Sequence, residues 1–257
     1  IRSIKLNCDG ALGSRGAWLL EPYTDRPDFS GMATLSMGPV LKISREGLKY
    51  GFQICSHAIG DRANKEILDR YELAFSENPT DSNHRYRIEH AQHLHPNDIP
   101  RFAKMGVIPA MQAIHLSSDR SWAIDRLGEK RIKEGAYMWQ SLLKSGAVIV
   151  NGTDVPVEPI NPIASFFASV TRQTLKGEPE GGYEPDEKMT RTQALRSYTL
   201  DAAYGAFEEK IKGSIKAGKL ADFVVFNKDI MLVPDAEILS TEVSMTILGG
   251  KVLYEKK

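Results

Sequence analysis

Three polar residues directly follow three short apolar runs in the sequence. His57 follows residues 52–56, His90 follows residues 87–89, and Asp154 follows residues 148–153. Barrel enzymes place their catalytic groups at the carboxyl ends of parallel strands, where the side chains of several strands meet. Two imidazoles and one carboxylate can bind a divalent metal such as zinc. A single histidine of this kind is commonly only packed or hydrogen-bonded, but three such residues in strand order favour a metal site.

The elements around these residues follow the pattern of an α/β protein. Short apolar runs alternate with helix-like stretches, which indicates βα units and a mostly parallel sheet. The predicted strands are residues 1–7, 51–56, 86–89, 107–111 and 147–151. The predicted helices between them are residues 40–50, 62–76, 97–105 and 136–144.

The pattern changes after Asp154. Two helices are predicted over residues 162–173 and 190–204, and antiparallel strands over 222–227 and 244–255. The last of these segments predicts a hairpin, because Gly249 and Gly250 separate two apolar runs. We therefore expect a small β element behind the α/β body.

Two segments are too long for a minimal βα repeat. Residues 8–39 are rich in Gly, Pro and Asp and include Arg15 and Trp18, and residues 113–135 include Trp122. Long loops behind barrel strands lie on the catalytic face, so both segments are candidate lids. The alternative is that each is a plain surface insertion.

Length and composition limit the class of protein. The 257 residues suffice for a full (β/α)8 barrel or for one large and one small domain. Their formal net charge of zero does not indicate binding to nucleic acids or to acidic membranes. No apolar stretch of the sequence is long enough to span a membrane. The only two cysteines, Cys8 and Cys55, are expected to be buried thiols of a reducing compartment, which favours a cytoplasmic location.

Several local motifs resemble the amidohydrolase superfamily. The resemblance is to its amidohydrolase-3, YtcJ-like branch, which includes N-substituted formamide deformylases. It covers essentially the whole chain, and it is carried by residues 9–15 (DGALGSR), 55–63 (CSHAIGDRA), 87–92 (RIEHAQ), 152–157 (GTDVPV) and 213–225 (GSIKAGKLADFVV).

The resemblance implies a fold and a domain organisation. Residues 1–208 would form about strands four to eight of a metal-dependent hydrolase (β/α)8 TIM barrel, with their helices. Residues 209–257 would form the C-terminal β element of a composite sandwich domain. The chain begins with a strand-like segment at Ile1, and we expect an upstream part with the first barrel strands to be missing.

The resemblance also implies roles for single residues. His57 and His90 would be metal ligands from barrel strands five and six. Asp154 would be the strand-eight aspartate, which binds metal and accepts a proton from the nucleophilic water. Lys5 matches the position of a lysine carboxylated by carbon dioxide, although it could equally be an ordinary lysine at a strand end. The family has one or two divalent metal ions and hydrolyses amides or related C–N bonds of small molecules.

The sequence departs from the family pattern in its ligand set. The family has a His-x-His pair at the end of barrel strand one, and the only such pair here is His93 and His95. Pro96 follows directly and favours a helix start, so we expect this pair in a βα loop, facing solvent or substrate. Half a barrel also leaves open sheet edges, so we expect a homo-oligomer or a complementing fragment, and no full activity from this chain alone.

Other residues have weaker predictions. His115, Arg15 and Trp18 are candidate substrate contacts, with packing as the alternative for His115. Glu89 should face the helical layer because it alternates with His90.

Two further residues are expected to be structural. Asp61 should cap a helix that begins at Arg62, and His84 should lie on a loop surface.

Three functions remain open at this point. The first is a metal-dependent hydrolase of C–N bonds. The second is a non-catalytic regulatory or binding protein on the same scaffold, because a fold does not determine a function. The third is a hydrolase of phosphoesters or lactones, which would share the metal site.

Overall fold

The computed structural model describes residues 1–79 and 83–257. They form two compact units, of which the first comprises residues 1–111 and 118–149 and the second residues 112–117 and 150–257. The predicted boundary at residue 208 is not tested by this division and stays a prediction.

The first unit contains a parallel sheet with helices between its strands. The strands are neighbours in chain order, β1 (Ser3–Asn7), β2 (Gln53–Ala58), β3 (Arg87–His90) and β4 (Ile108–Met111). The helices between and after them are α1 (Met37–Tyr50), α2 (Asp61–Glu77), α3 (Ile99–Met105) and α5 (Trp139–Ser145). Helix α4 (Ile114–Gly135) belongs to this unit from residue 118 onward, and its first residues belong to the second unit. A short 3-10 helix, Pro96–Asp98, precedes α3.

The register divides the side chains of this sheet between two faces. Lys5 is paired with Cys55, and Asn7 with His57, so these four residues share one face. The other face includes Ile54, which is fully buried. Parallel strands covered by helices are expected to be this apolar, and α1 and α2 pack against each other beside the sheet.

Gly47 shows how closely α1 approaches the sheet. A Cβ atom at this position would lie 2.5 Å from the hydroxyl of Tyr86 and 2.7 Å from Cδ1 of Ile54. The Tyr86 hydroxyl donates to the carbonyl of Ser44 on the same helix at 2.7 Å. The glycine therefore allows a contact that any larger residue would prevent.

The second candidate lid, residues 113–135, is not a loop. It forms α4, which is interrupted at Gly128, where φ is 74° and ψ is 162°. Gly128 interrupts the helix and, with it, the helical pattern of the sequence, which is why this segment resembles a loop.

The second unit contains the remaining elements. They are β5 (Val150–Asn151), α6 (Pro162–Thr171), α7 (Arg191–Tyr198), α8 (Leu200–Gly205), β6 (Phe223–Phe226), β7 (Val243–Leu248) and β8 (Lys251–Glu255). Strands β6, β7 and β8 form an antiparallel sheet. The predicted helix over 190–204 is two helices, because the backbone breaks at Thr199.

The hairpin of β7 and β8 is confirmed. Gly249 and Gly250 connect the strands with φ angles of 57° and 79°, the positive values that a tight hairpin turn requires and that glycine adopts without strain.

Within the described parts of the chain, the helices are too short or too polar to cross a lipid bilayer.

Candidate metal centre

His57 lies near the carboxyl end of β2, as the sequence predicts. Its side chain is 16% exposed, and its ring meets the ring of His90 edge-on, with 4.4 Å between the centroids. Two imidazoles from neighbouring strands thus stand side by side at the same end of the sheet. This is an arrangement from which two nitrogen ligands can bind one metal ion.

His90 is placed there by an unusual backbone. Residues 90 and 91 both have positive φ angles, 75° for His90 and 43° for Ala91. Such values are uncommon for residues other than glycine, and they turn the chain sharply at the end of β3. Strained backbone of this kind is concentrated at functional sites.

Glu89 does not face the helical layer, so that prediction was wrong. It is paired in register with His57 and therefore shares the face of His57. Its carboxylate accepts a hydrogen bond from Nε of Arg87 at 2.8 Å. The prediction failed because it assumed regular alternation up to His90, whose positive φ angle brings its ring to His57 as well.

Asp9 is a part of this site that the sequence did not predict. Its side chain is fully buried, and Oδ1 lies 3.4 Å from Nε2 of His57. The same carboxylate accepts hydrogen bonds from the backbone N–H groups of Ile59, Gly60 and Trp18, at 3.0, 2.8 and 3.0 Å. Burial raises the pKa of Asp9 to about 7, and the three backbone hydrogen bonds oppose this rise.

Gly60 is required where the segment after β1 meets the start of α2. A Cβ atom at this position would lie 2.1 Å from the carbonyl oxygen of Trp18. Only glycine therefore allows the Trp18 backbone to come close enough to donate to Asp9. In the sequence, this close contact is indicated by a glycine three residues after His57.

Lys5 lies in the middle of β1 and is exposed. It is opposite Cys55, two residues before His57, and on the same face as His57. This position is compatible with the predicted role as a metal ligand, which stays a prediction.

Asp154 and His115 meet in the second unit. Asp154 follows β5, has a φ angle of 58°, and its Oδ2 lies 3.2 Å from Nε2 of His115. On the other side of the buried ring, Nδ1 lies 3.5 Å from Oε1 of Glu158. Glu158 was missed by the sequence reasoning. In the sequence, its position four residues after Asp154 is the only indication of this role. In the structure, this spacing forms a turn in which the N–H of Glu158 donates to the Asp154 carbonyl.

Arg15 and Trp18 are both held by neighbours in the first unit. Arg15 forms a bidentate pair with Asp25, at 3.1 and 2.8 Å, and this hydrogen bonding lowers the pKa of Asp25. Arg126 of α4 also donates to Asp25. The guanidinium of Arg62 lies 4.9 Å from the centre of a Trp18 ring. Their role in substrate binding stays a prediction.

The His-x-His pair is divided between two environments. His93 is only 2% exposed, so the expectation of a position facing solvent was wrong for this residue. Its Nε2 lies 3.6 Å from Asp61, and burial lowers its pKa. His95 caps the 3-10 helix by accepting the N–H of Asn97.

His84 is buried rather than on the surface, so this prediction was also wrong. It is 7% exposed and stacks on Phe75 with 3.8 Å between the ring centroids. A loop position alone did not reveal that an aromatic cluster of α2 covers it.

The donors of the first unit fit a divalent metal. Two neutral imidazoles are preferred zinc ligands, and a metal-bound histidine is usually oriented by a carboxylate on its other ring nitrogen. The Asp9 carboxylate lies 3.4 Å from Nε2 of His57, near enough for such an influence on the ring. The side-by-side rings of His57 and His90 therefore supply two of the ligands that such a metal needs.

Comparison with known proteins identifies relatives along the whole chain. The model of the amidohydrolase family known as amidohydrolase-3 matches residues 1–254. The protein LONG AFTER FAR-RED 3 of Arabidopsis thaliana is 37% identical over 259 residues, which cover 98% of this chain and 42% of the plant protein. The putative amidohydrolase YtcJ of Bacillus subtilis is 32% identical over 254 residues, with 99% and 47% covered.

An enzyme and a solved structure are also similar. N-substituted formamide deformylase of Arthrobacter pascens is 28% identical over 209 residues, which cover 81% of this chain and 38% of the enzyme. The crystal structure of an uncharacterized metal-dependent hydrolase from Pyrococcus horikoshii OT3 superimposes with a TM-score of 0.80 at 30% identity. It covers 91% of this chain, and 46% of the Pyrococcus chain is matched.

The chain spans less than half the length of the curated relatives it matches. Its parallel sheet with helices matches part of a metal-dependent hydrolase barrel, and a small antiparallel sheet follows. The chain belongs to the amidohydrolase family.

Proposed function

We propose that the protein containing this chain is a metal-dependent hydrolase of amides or other C–N bonds. The observation that carries the proposal is the pair of imidazole rings, His57 and His90, at neighbouring strand ends of an amidohydrolase fold. Family membership supports hydrolysis, and the similarity to a formamide deformylase supports a C–N bond as the target.

In this proposal the first unit supplies nitrogen ligands to a divalent metal, for which zinc is our choice. His57 and His90 are the proposed ligands, and Lys5 is a further one if it is carboxylated. Asp154 is the proposed strand-eight ligand. The bound metal supplies Lewis acidity, which polarises a carbonyl and makes a water molecule easier to deprotonate.

Asp154 is the residue to which we assign proton transfer. Its carboxylate would take a proton from the attacking water and pass it to the leaving nitrogen, as a general base and then a general acid. His115 lies against Oδ2 of this carboxylate at 3.2 Å. A side chain held in this way keeps its orientation at little entropic cost during the reaction.

The remaining assignments of the proposal concern substrate and context. The substrate would be a small molecule with an amide-type bond, near His115, Arg15 and Trp18. We further propose a cytoplasmic homo-oligomer without nucleic-acid or membrane partners.

A second candidate is a non-catalytic regulatory or binding protein. It is favoured by the exposure of Lys5 and by the 37% identity to a plant protein whose name states no reaction. Hydrolysis of phosphoesters or lactones is tested by substrate screening, because the same ligands would serve it.

Metal analysis of the natural protein distinguishes the first two candidates. The protein is purified with and without bicarbonate, and its metal content is measured for the unsubstituted form, His57→Asn, His90→Asn and the control His95→Asn. We expect stoichiometric metal that is lost in the first two variants and kept in the control, together with hydrolysis in an amide library. A folded protein without metal and without hydrolysis favours the second candidate.

A further inference from the structure

We propose that Asp9 is a positioning residue for His57. In this inference, which rests on the proposed function, the carboxylate fixes the ring of His57 and the backbone behind it in the geometry that metal binding needs. Asp9 itself would not touch the metal or the substrate.

The first argument is the place of Asp9 in the fold. β1 and β2 run parallel with Asn7 opposite His57, so Asp9 emerges beside the residues that follow His57. Its Oδ1 accepts the N–H of Ile59 at 3.0 Å and its Oδ2 the N–H of Gly60 at 2.8 Å. The carboxylate thus binds the backbone of the residues that follow the proposed ligand His57 by two and three positions.

The second argument is the approach of Asp9 to the ring itself. Oδ1 of the fully buried carboxylate lies 3.4 Å from Nε2 of His57. The side chain that binds the backbone after His57 therefore also lies against the ring of His57. Loss of the Asp9 carboxylate would disturb both the backbone and the position of the ring.

The third argument separates this role from ordinary support of the fold. Asp61, the first residue of α2 and also buried, is a similar anchor: Oδ1 accepts the N–H groups of Leu20 and Arg62, each at 2.9 Å. Asp9 holds the same stretch of chain that contains Leu20, because its Oδ2 accepts the N–H of Trp18 at 3.0 Å. Of these two carboxylates, Asp9 is the one that lies at His57, so Asp61 is its matched control.

The test compares Asp9→Asn with Asp61→Asn in the full natural protein. The measurements are the dissociation constant for cobalt(II), the visible spectrum of the cobalt form, and the melting temperature of the metal-free form. We expect Asp9→Asn to bind cobalt about 10–100-fold more weakly with an altered spectrum, whereas Asp61→Asn keeps both. Equal cobalt affinity and spectra in the two variants would overturn the inference.

The outcome also distinguishes this inference from the proposed function. If the unsubstituted protein and Asp9→Asn bind cobalt equally well, the inference fails and the proposed function stands. If the unsubstituted protein binds no metal, both fail.

A second variant covers the case in which Asp9→Asn does not fold. Asp9→Glu keeps the negative charge but moves the carboxylate by one methylene group, so it cannot keep the hydrogen bonds to Ile59 and Gly60 and the place beside His57 unchanged. We expect weaker cobalt binding and an altered spectrum in this variant, and cobalt binding like that of the unsubstituted protein would contradict the inference.

Discussion

Two histidines, one in each unit, are surrounded by carboxylates in different ways. His57 has the Asp9 carboxylate near Nε2 at 3.4 Å. His115 has carboxylates near both ring nitrogens, Asp154 at 3.2 Å from Nε2 and Glu158 at 3.5 Å from Nδ1. A neutral imidazole can donate to only one carboxylate, whereas donation to two requires protons on both nitrogens.

This difference teaches what each ring can do. A histidine oriented by one carboxylate keeps a lone pair for a metal ion, which is the usual arrangement of a metal ligand. His115 instead lies between two carboxylates, and its ring can hold them in place. We therefore propose metal binding for His57 and the orientation of Asp154 for His115.

The largest expected effect is the loss of metal when His57, but not His115, is replaced by asparagine. His57→Asn should abolish stoichiometric metal binding and reduce hydrolysis on the order of 10³-fold or more, because the loss of a bound metal removes several kcal/mol of transition-state stabilisation. His115→Asn should keep the metal. Metal analysis and turnover of both variants check this, and loss of metal in His115→Asn would break the distinction between the two rings.

The next effect concerns the carboxylate that His115 holds. Asp154→Asn should reduce kcat about 10²–10⁴-fold, because the asparagine amide cannot act as a general base. Steady-state kinetics at saturating substrate measure this. Asp186→Asn, an exposed carboxylate of the same unit, is the control and should leave kcat unchanged. Unchanged kcat in Asp154→Asn would remove this residue from the proposed mechanism.

A smaller effect is expected at the backbone behind His57. Gly60→Ala should destabilise the protein by about 1–3 kcal/mol, because overpacking forces the backbone to shift, and its Cβ atom would lie 2.1 Å from the Trp18 carbonyl. Gly38→Ala is the control, since no atom lies within 4 Å of its Cβ position. Thermal unfolding of both variants measures the difference. A Gly60→Ala protein as stable as the control would show that Asp9 and Trp18 are not held as closely as described.

The smallest effect is expected at Glu158. Glu158→Gln keeps the shape of the side chain but removes the negative charge beside Nδ1 of His115. We expect kcat to fall by about threefold to tenfold, which corresponds to roughly 0.7–1.4 kcal/mol, the range of one typical polar contact. Metal content should not change. If metal is lost instead, Glu158 acts as a ligand and the contrast with His57 needs revision.

The sequence was informative where periodicity and turn residues determine structure. The strands of His57 and His90 were predicted to within two residues, with each histidine just after the strand that in fact contains it, and the hairpin at Gly249 and Gly250 was predicted as well. Apolar strands between amphipathic helices and glycines with positive φ are local signals, and local signals can be read from one sequence.

The sequence was less informative where the site depends on distant contacts. Asp9 was recognised as part of a motif, but its role follows from hydrogen bonds to Ile59 and Gly60, about fifty residues away. The ring position of His90 depends on a positive φ angle, which no local pattern announces. Such features arise from tertiary packing, and the periodicity of a single sequence does not reveal which distant residues are in contact.

The most direct test of the central claim is anomalous diffraction at the zinc edge from crystals of the natural protein. The account predicts a peak about 2.0–2.1 Å from a ring nitrogen of both His57 and His90, the usual zinc–imidazole distance. A peak elsewhere, with both rings away from any metal, would contradict it.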